Sequence, residues 1–162
     1  MSRLLSLIPP WLRQLGYIAL SVVLGVVFIY AGALKLHNPW RFADAIYAFR
    51  LLPRELIIPL ALTLPPVEIF AGLLLILGRP RRLGAFAVLL MTIVFAAAIA
   101  SALARGLIIN CNCFGEVGVP TRLKLWAALG RDALLFASAL ILYLAAPTTT
   151  SSKRHVQPPY KR

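Results

Sequence analysis

Two cysteines, Cys111 and Cys113, stand one residue apart in the stretch GLIINCNCFGEVG, residues 106–118. Two extended residues span at most about 6.6–7.2 Å, whereas the Cα atoms of a disulfide usually lie about 4.4–6.8 Å apart. A disulfide across Asn112 therefore needs a bent backbone, which asparagine tolerates better than most residues. Strained, accessible disulfides belong to the labile or catalytic kind. The spacing favours a redox pair in which Cys111 and Cys113 are the reactive residues.

Two other interpretations of the cysteines stay open. Structural zinc takes four ligands, and the chain has only two cysteines and two histidines. A Cu(I) site would use both thiolates together with His37, but we predict no metal. Alternatively, the cysteines are two small buried residues in a packed loop, a role that free cysteine often has.

A second candidate site consists of charged residues within hydrophobic segments. Glu68 lies near the middle of one such segment, and a charge at the bilayer centre costs about 2.5–3.5 kcal/mol. Glu68 must therefore face other helices, and it must either pair with a cation or hold a proton. The candidate partners are Lys35 and Arg131. For Glu68 we favour a structural ion pair over a proton relay or a part in a quinone or substrate pocket. Arg131 has an alternative role, in which it pairs with Asp132 at the protein surface.

These residues require a scaffold of membrane-spanning helices. Of the 162 residues, 60% are hydrophobic and 14% charged, whereas soluble domains are about half apolar and about a quarter charged. The apolar residues form four runs long enough to span a bilayer. We predict an all-α, integral membrane four-helix bundle whose helices cover about Trp11–Leu36, Glu55–Leu77, Leu83–Leu103 and Leu123–Ala145.

Two local patterns refine this bundle. Between helices one and two, Pro39 can start a short helix, and we predict that it lies along the membrane interface with one aromatic, apolar side; that side contains Trp40, Phe42, Ile46, Tyr47 and Phe49. In helix three, the small residues Ala96, Ala100 and Ala104 recur every four positions. Such a face lets a neighbouring helix approach closely.

The chain divides into a segment at 1–10, a four-helix domain at 11–146 and a basic tail at 147–162. The net charge is +12, but Lys and Arg lie in loops and tails without interleaved aromatic residues, so we predict no nucleic-acid binding. Lys and Arg are slightly more frequent on the side of both termini, which predicts cytoplasmic termini. The cysteines would then face the exterior or periplasm, where disulfides persist.

Five ordered elements give the chain a family resemblance: AGALKL, FADAIYAFRLLP, LPPVEIFAGLLLILG, CNCFG and LWAALGRDALL. Together they resemble the MauE branch of the DoxX-like proteins, which are small four-helix membrane proteins. The resemblance implies the bacterial inner membrane, with the cysteine loop in the periplasm. It also implies that Cys111 and Cys113 match the family's paired cysteines.

The resemblance implies that the protein is embedded in the lipid bilayer and functions in thiol–disulfide chemistry. The pair would exchange electrons or disulfides with a periplasmic thioredoxin-like protein or another secreted redox partner and support its maturation. Quinone is a candidate electron carrier, although the sequence shows no clear quinone site. The alternative is a non-catalytic accessory subunit of a larger membrane complex, in which the cysteine pair is a structural staple. The sequence does not decide whether the protein is an enzyme.

Overall fold

The structure, a computed structural model, describes residues 9–78, 81–109, 119 and 121–145. All the regular structure in these residues is helical, which confirms the predicted all-α class, and the four long helices begin and end close to the predicted residues. The short helix between the first two long ones is also confirmed. The helices are α1 Pro10–His37, α2 Pro39–Ala48, α3 Arg54–Leu77, α4 Arg81–Ala104 and α5 Arg122–Ala145.

The four long helices are each long and apolar enough to cross a membrane. Their outward faces carry large apolar side chains, which would be an aggregation hazard in water but suit contact with lipid tails; examples are Val23, Leu62, Phe70, Leu90 and Leu134. The chain is therefore a multi-pass protein of the lipid bilayer. Residues 1–8 of the predicted segment at 1–10, and the whole of the predicted tail at 147–162, lie outside the described residues.

The long helices surround a central axis in the order α1, α3, α4, α5. The tightest packing joins α1 to α3, and α5 packs mainly on α4. In the part of the chain that the structure describes, α3 and α5 lie diagonally opposite and do not pack on each other. Side chains that point inward from these two helices therefore face each other across the axis.

Glycines let α1 and α3 approach backbone to backbone. A Cβ atom added to Gly25 would lie 2.7 Å from the carbonyl oxygen of Gly72, and one added to Gly32 would lie 2.8 Å from that of Pro65. Small residues at helix contacts are typical of membrane bundles. The small-residue face predicted on α4 is only partly used within the chain: Ala96 is half-buried, whereas Ala100 and Ala104 are exposed.

The short helix α2 packs on α3. Asn38 caps it by accepting a hydrogen bond from the Arg41 amide at 3.2 Å, and Phe42 is buried in a cluster with Ile57 and Ala61. Trp40 and Tyr47, in contrast, are exposed. The aromatic residues expected on one side of α2 therefore lie on two: Phe42 contacts protein, whereas Trp40 and Tyr47 point away from the bundle.

We predict that Gly25→Ala destabilises the bundle by about 1–3 kcal/mol, because the added methyl group overpacks the contact with Gly72. The measurement is the free energy of unfolding in mixed detergent micelles. Gly16→Ala is the matched control in the same helix, since a Cβ there meets nothing within 4 Å. It should be neutral or stabilise by about 0.5–1 kcal/mol, and equal destabilisation by both variants would contradict the close-packing account.

Candidate functional site

A buried ion pair joins α1 to α3 inside the bundle. The Lys35 Nζ donates a hydrogen bond to Glu68 Oε1, and the two side chains are only 3% and 2% exposed. Of the two partners predicted for Glu68, Lys35 is thus the one that contacts it. Burial of both side chains shields the pair from lipid. Glu68 lies near the middle of α3, where an unpaired charge in a membrane-spanning helix is least tolerated.

Two aromatic rings flank the Lys35 ammonium. Its Nζ lies 5.1 Å from the ring centroid of Phe42 and 4.9 Å from that of Phe95. Both distances are in the range of cation–π attraction. Because Phe42 belongs to α2 and Phe95 to α4, this one side chain contacts residues from three other helices.

The fifth helix adds a second buried carboxylate, Asp132, which is 5% exposed. It is not part of a surface pair, because it lies on the buried stripe of α5 with Leu125, Ala128, Ala139 and Leu142. Arg131 is half-buried and interacts electrostatically with Asp132 and Lys35. Sequence reasoning missed Asp132 as a site residue, although its four- and seven-residue spacing from buried apolar positions was a usable signal.

A small cavity of about 20 Å³ lies at this cluster. Each long helix contributes one polar residue to its lining, namely Lys35, Glu68, Thr92 and Asp132. About 10–15 Å³ accommodates one water, so the cavity has room for a water molecule and is far too small for a quinone ring.

A larger groove of about 390 Å³ opens beside α2. Its lining combines the aromatic residues Trp40 and Tyr47 with Asp44 and Arg54. The Arg54 guanidinium donates a hydrogen bond to the Tyr47 hydroxyl at 2.9 Å. Ligand pockets commonly measure about 300–1,000 Å³, so the groove has the size, though not the enclosure, of a small-molecule site.

The cysteine loop, residues 105–121, is anchored at its first end by the last turn of α4. The Leu107 amide donates to the Ala102 carbonyl at 2.9 Å, and the Gly106 amide donates to the Leu103 carbonyl at 3.1 Å. With Gly106 at a φ of 68°, this is a Schellman motif, which ends the helix in a fixed direction. Leu107 then packs into a cluster around the buried Ile99.

The same end of the loop is attached to α2. Arg105 donates a hydrogen bond to the Phe49 carbonyl at 2.6 Å and another to the Arg50 carbonyl at 3.3 Å. At the other end, the Thr121 hydroxyl accepts from the Lys124 amide at 3.3 Å and caps α5. Because the first turn of α5 shares a buried cluster with Phe49, both flanks lie at the end of the bundle where α2 ends.

Cys111 and Cys113 lie outside the described residues, so their pairing stays a prediction. Within residues 9–78, 81–109 and 121–145, no three His, Cys, Asp or Glu side chains are grouped closely enough to hold a metal ion. His37, the third ligand of the Cu(I) alternative, is exposed at the end of α1. The candidate chemistry thus divides between the buried charges and the cysteine loop.

The model of the family described as methylamine utilisation protein MauE matches residues 10–145. The chain belongs to the MauE family. The match covers all five helices and both candidate sites, from the start of α1 to the end of α5. No curated protein and no solved structure is significantly similar to the chain.

For this MauE-family protein, we predict that Lys35→Met destabilises the fold by about 3–5 kcal/mol, because it leaves Glu68 as a buried unpaired charge. The double variant Lys35→Met with Glu68→Leu should recover most of the loss, since a buried ion pair can often be replaced by apolar residues. Free energies of unfolding in mixed micelles measure both changes.

Arg54→Met is the control for this pair, because Arg54 is exposed and its guanidinium donates a hydrogen bond to the hydroxyl of Tyr47, which is itself exposed. Its effect should stay within about 0.5 kcal/mol. Wild-type stability in Lys35→Met alone would show that the ion pair does not stabilise the bundle.

Proposed function

We propose that the protein is a membrane-embedded thiol–disulfide exchange protein whose reactive residues are Cys111 and Cys113. The observation that carries the proposal is the Cys-Asn-Cys spacing in a MauE-family chain. The anchored flanks of the loop support it, because exchange needs thiols that are held at the protein surface and reachable by a partner.

The exchange step is a transfer of two electrons and two protons from a partner dithiol. A partner thiolate attacks one sulfur of the Cys111–Cys113 disulfide, breaks the sulfur–sulfur bond and forms a mixed disulfide. The partner's second thiol then displaces the bound sulfur, so that the partner leaves as a disulfide and the Cys111–Cys113 pair is left as a dithiol. The partner class that fits is a thioredoxin-like or other secreted redox protein.

Charges near the pair in sequence bear on its reactivity. Arg105, Arg122 and Lys124 flank the loop and favour thiolates, whereas Glu116 opposes them. Arg105 is already bonded to the backbone carbonyls that follow α2, so its positive charge is fixed at the start of the loop.

A dithiol left on Cys111 and Cys113 must be reoxidised before the next cycle. With one cysteine pair in the chain, donor and oxidant meet the same two sulfurs, or a second protein relays the electrons. The oxidant class is either a second disulfide or a membrane quinone. The groove beside α2 is the place to test for quinone, because it opens at the end of the bundle where the cysteine loop begins.

The test is the redox midpoint of the pair in purified protein, measured by thiol labelling across a glutathione series. We expect a reversible two-electron midpoint of about −120 to −270 mV, the range of known exchange proteins. Cys113→Ser should trap a mixed disulfide with a partner that reductant releases. The control is the double variant Cys111→Ser with Cys113→Ser, which should trap nothing.

A disulfide whose midpoint potential lies below about −300 mV, or two thiols that never pair, would refute the exchange function. The second candidate is then a non-catalytic subunit of a larger membrane complex. It is favoured by the outward small-residue face of α4, where Ala100 and Ala104 point away from the bundle and a helix of another subunit can approach closely. Co-purification of a stoichiometric subunit that is lost in Ala100→Leu, with the fold intact, would support it.

A further inference from the structure

Two carboxylate oxygens near the bundle axis receive no hydrogen bond within the part of the chain that the structure describes. They are Glu68 Oε2 and Asp132 Oδ2, and both atoms are buried. Glu68 uses only Oε1 for Lys35. A buried acceptor without a donor costs about 1–3 kcal/mol, and more when it is charged, so native proteins supply a protein donor or an ordered water.

No direct protein contact joins these two oxygens. Glu68 belongs to α3 and Asp132 to α5, which lie on opposite sides of the bundle axis and do not pack on each other. Yet both residues line the cavity of about 20 Å³, together with Lys35 and Thr92. A single donor that serves both oxygens would therefore sit in this cavity, between α3 and α5.

The size and lining of the cavity select the occupant. One water requires about 10–15 Å³ and about 2–4 polar partners, and the cavity supplies both. Its remaining walls are apolar and are formed by Phe28, Ala31, Phe95 and Leu135.

The charges around the cavity argue for a neutral occupant over a cation. Lys35 from α1 and Arg131 from α5 interact electrostatically with Asp132, and Lys35 is paired with Glu68. The two cationic and two anionic side chains of this cluster thus balance in charge, and the polar residue that α4 adds to the cavity lining is the neutral Thr92. A metal cation would introduce an uncompensated charge into a low-dielectric site.

We propose that one buried water occupies this cavity, donating hydrogen bonds to Glu68 Oε2 and Asp132 Oδ2 and accepting one from Lys35 Nζ. The water connects Asp132 of α5 to the ion pair that already joins α1 to α3. The Thr92 hydroxyl is not required as a donor, since it already lies 3.0 Å from the Val88 carbonyl oxygen and 2.9 Å from that of Leu89.

The test is structure determination in lipid nanodiscs at a resolution that shows ordered waters. In the wild type we expect one peak within about 2.5–3.0 Å of both carboxylate oxygens. Thr92→Val should keep the peak, because the hydroxyl is not a needed donor, and Asp132→Asn should keep it because an acceptor oxygen remains. Asp132→Leu should lose the peak, because its side chain offers no acceptor and fills part of the space.

The wild-type map decides the proposal even if Asp132→Leu fails to fold. An empty cavity, or a peak that contacts only one of the two oxygens, would overturn it. So would a peak that changes in strength when the sodium in the buffer is exchanged for rubidium, since that result identifies a cation. None of these outcomes depends on the redox state of Cys111 and Cys113, so the water site and the exchange function fail or stand separately.

Discussion

The ion pair between Lys35 and Glu68 is the interaction around which the bundle is arranged. Lipid tails and apolar side chains cannot solvate an ammonium or a carboxylate, so these charges are tolerated only in contact and inside protein. Lys35 lies near the end of α1, and Glu68 lies near the middle of α3. The two can meet only if these helices are close, and the backbone contact between Gly25 and Gly72 keeps them close.

In water, burial of apolar side chains drives helices together, but in lipid it does not determine which helices pack on each other. Lipid tails are as apolar as leucine, so burying leucine does not by itself favour one helix arrangement over another. Close glycine contacts and polar side chains have to supply the preference. This explains why every long helix contributes a polar residue to the cavity at the axis, namely Lys35, Glu68, Thr92 and Asp132, while its outward face is apolar.

The same physics decides what the sequence could predict. Long apolar runs identify the four helices, and the cost of an intramembrane charge identifies Glu68 as inward-facing and paired. The rotation of a helix is harder, because lipid and protein interior accept the same apolar side chains. Hence Asp132 beside Arg131 resembled a surface pair, and the division between the buried Phe42 and the exposed Trp40 was not foreseen. The position of the cysteines is still a prediction.

The short helix α2 connects the two candidate sites. One of its inward residues, Phe42, lies against the Lys35 ammonium, and the carbonyl of Phe49 at its end accepts a hydrogen bond from Arg105, where the cysteine loop begins. Both contacts are buried or half-buried, so α2 cannot shift without altering one of them. The contacts of α2 thus link the packing around Lys35 to the residue at which the cysteine loop begins, and a displacement of this helix would disturb both.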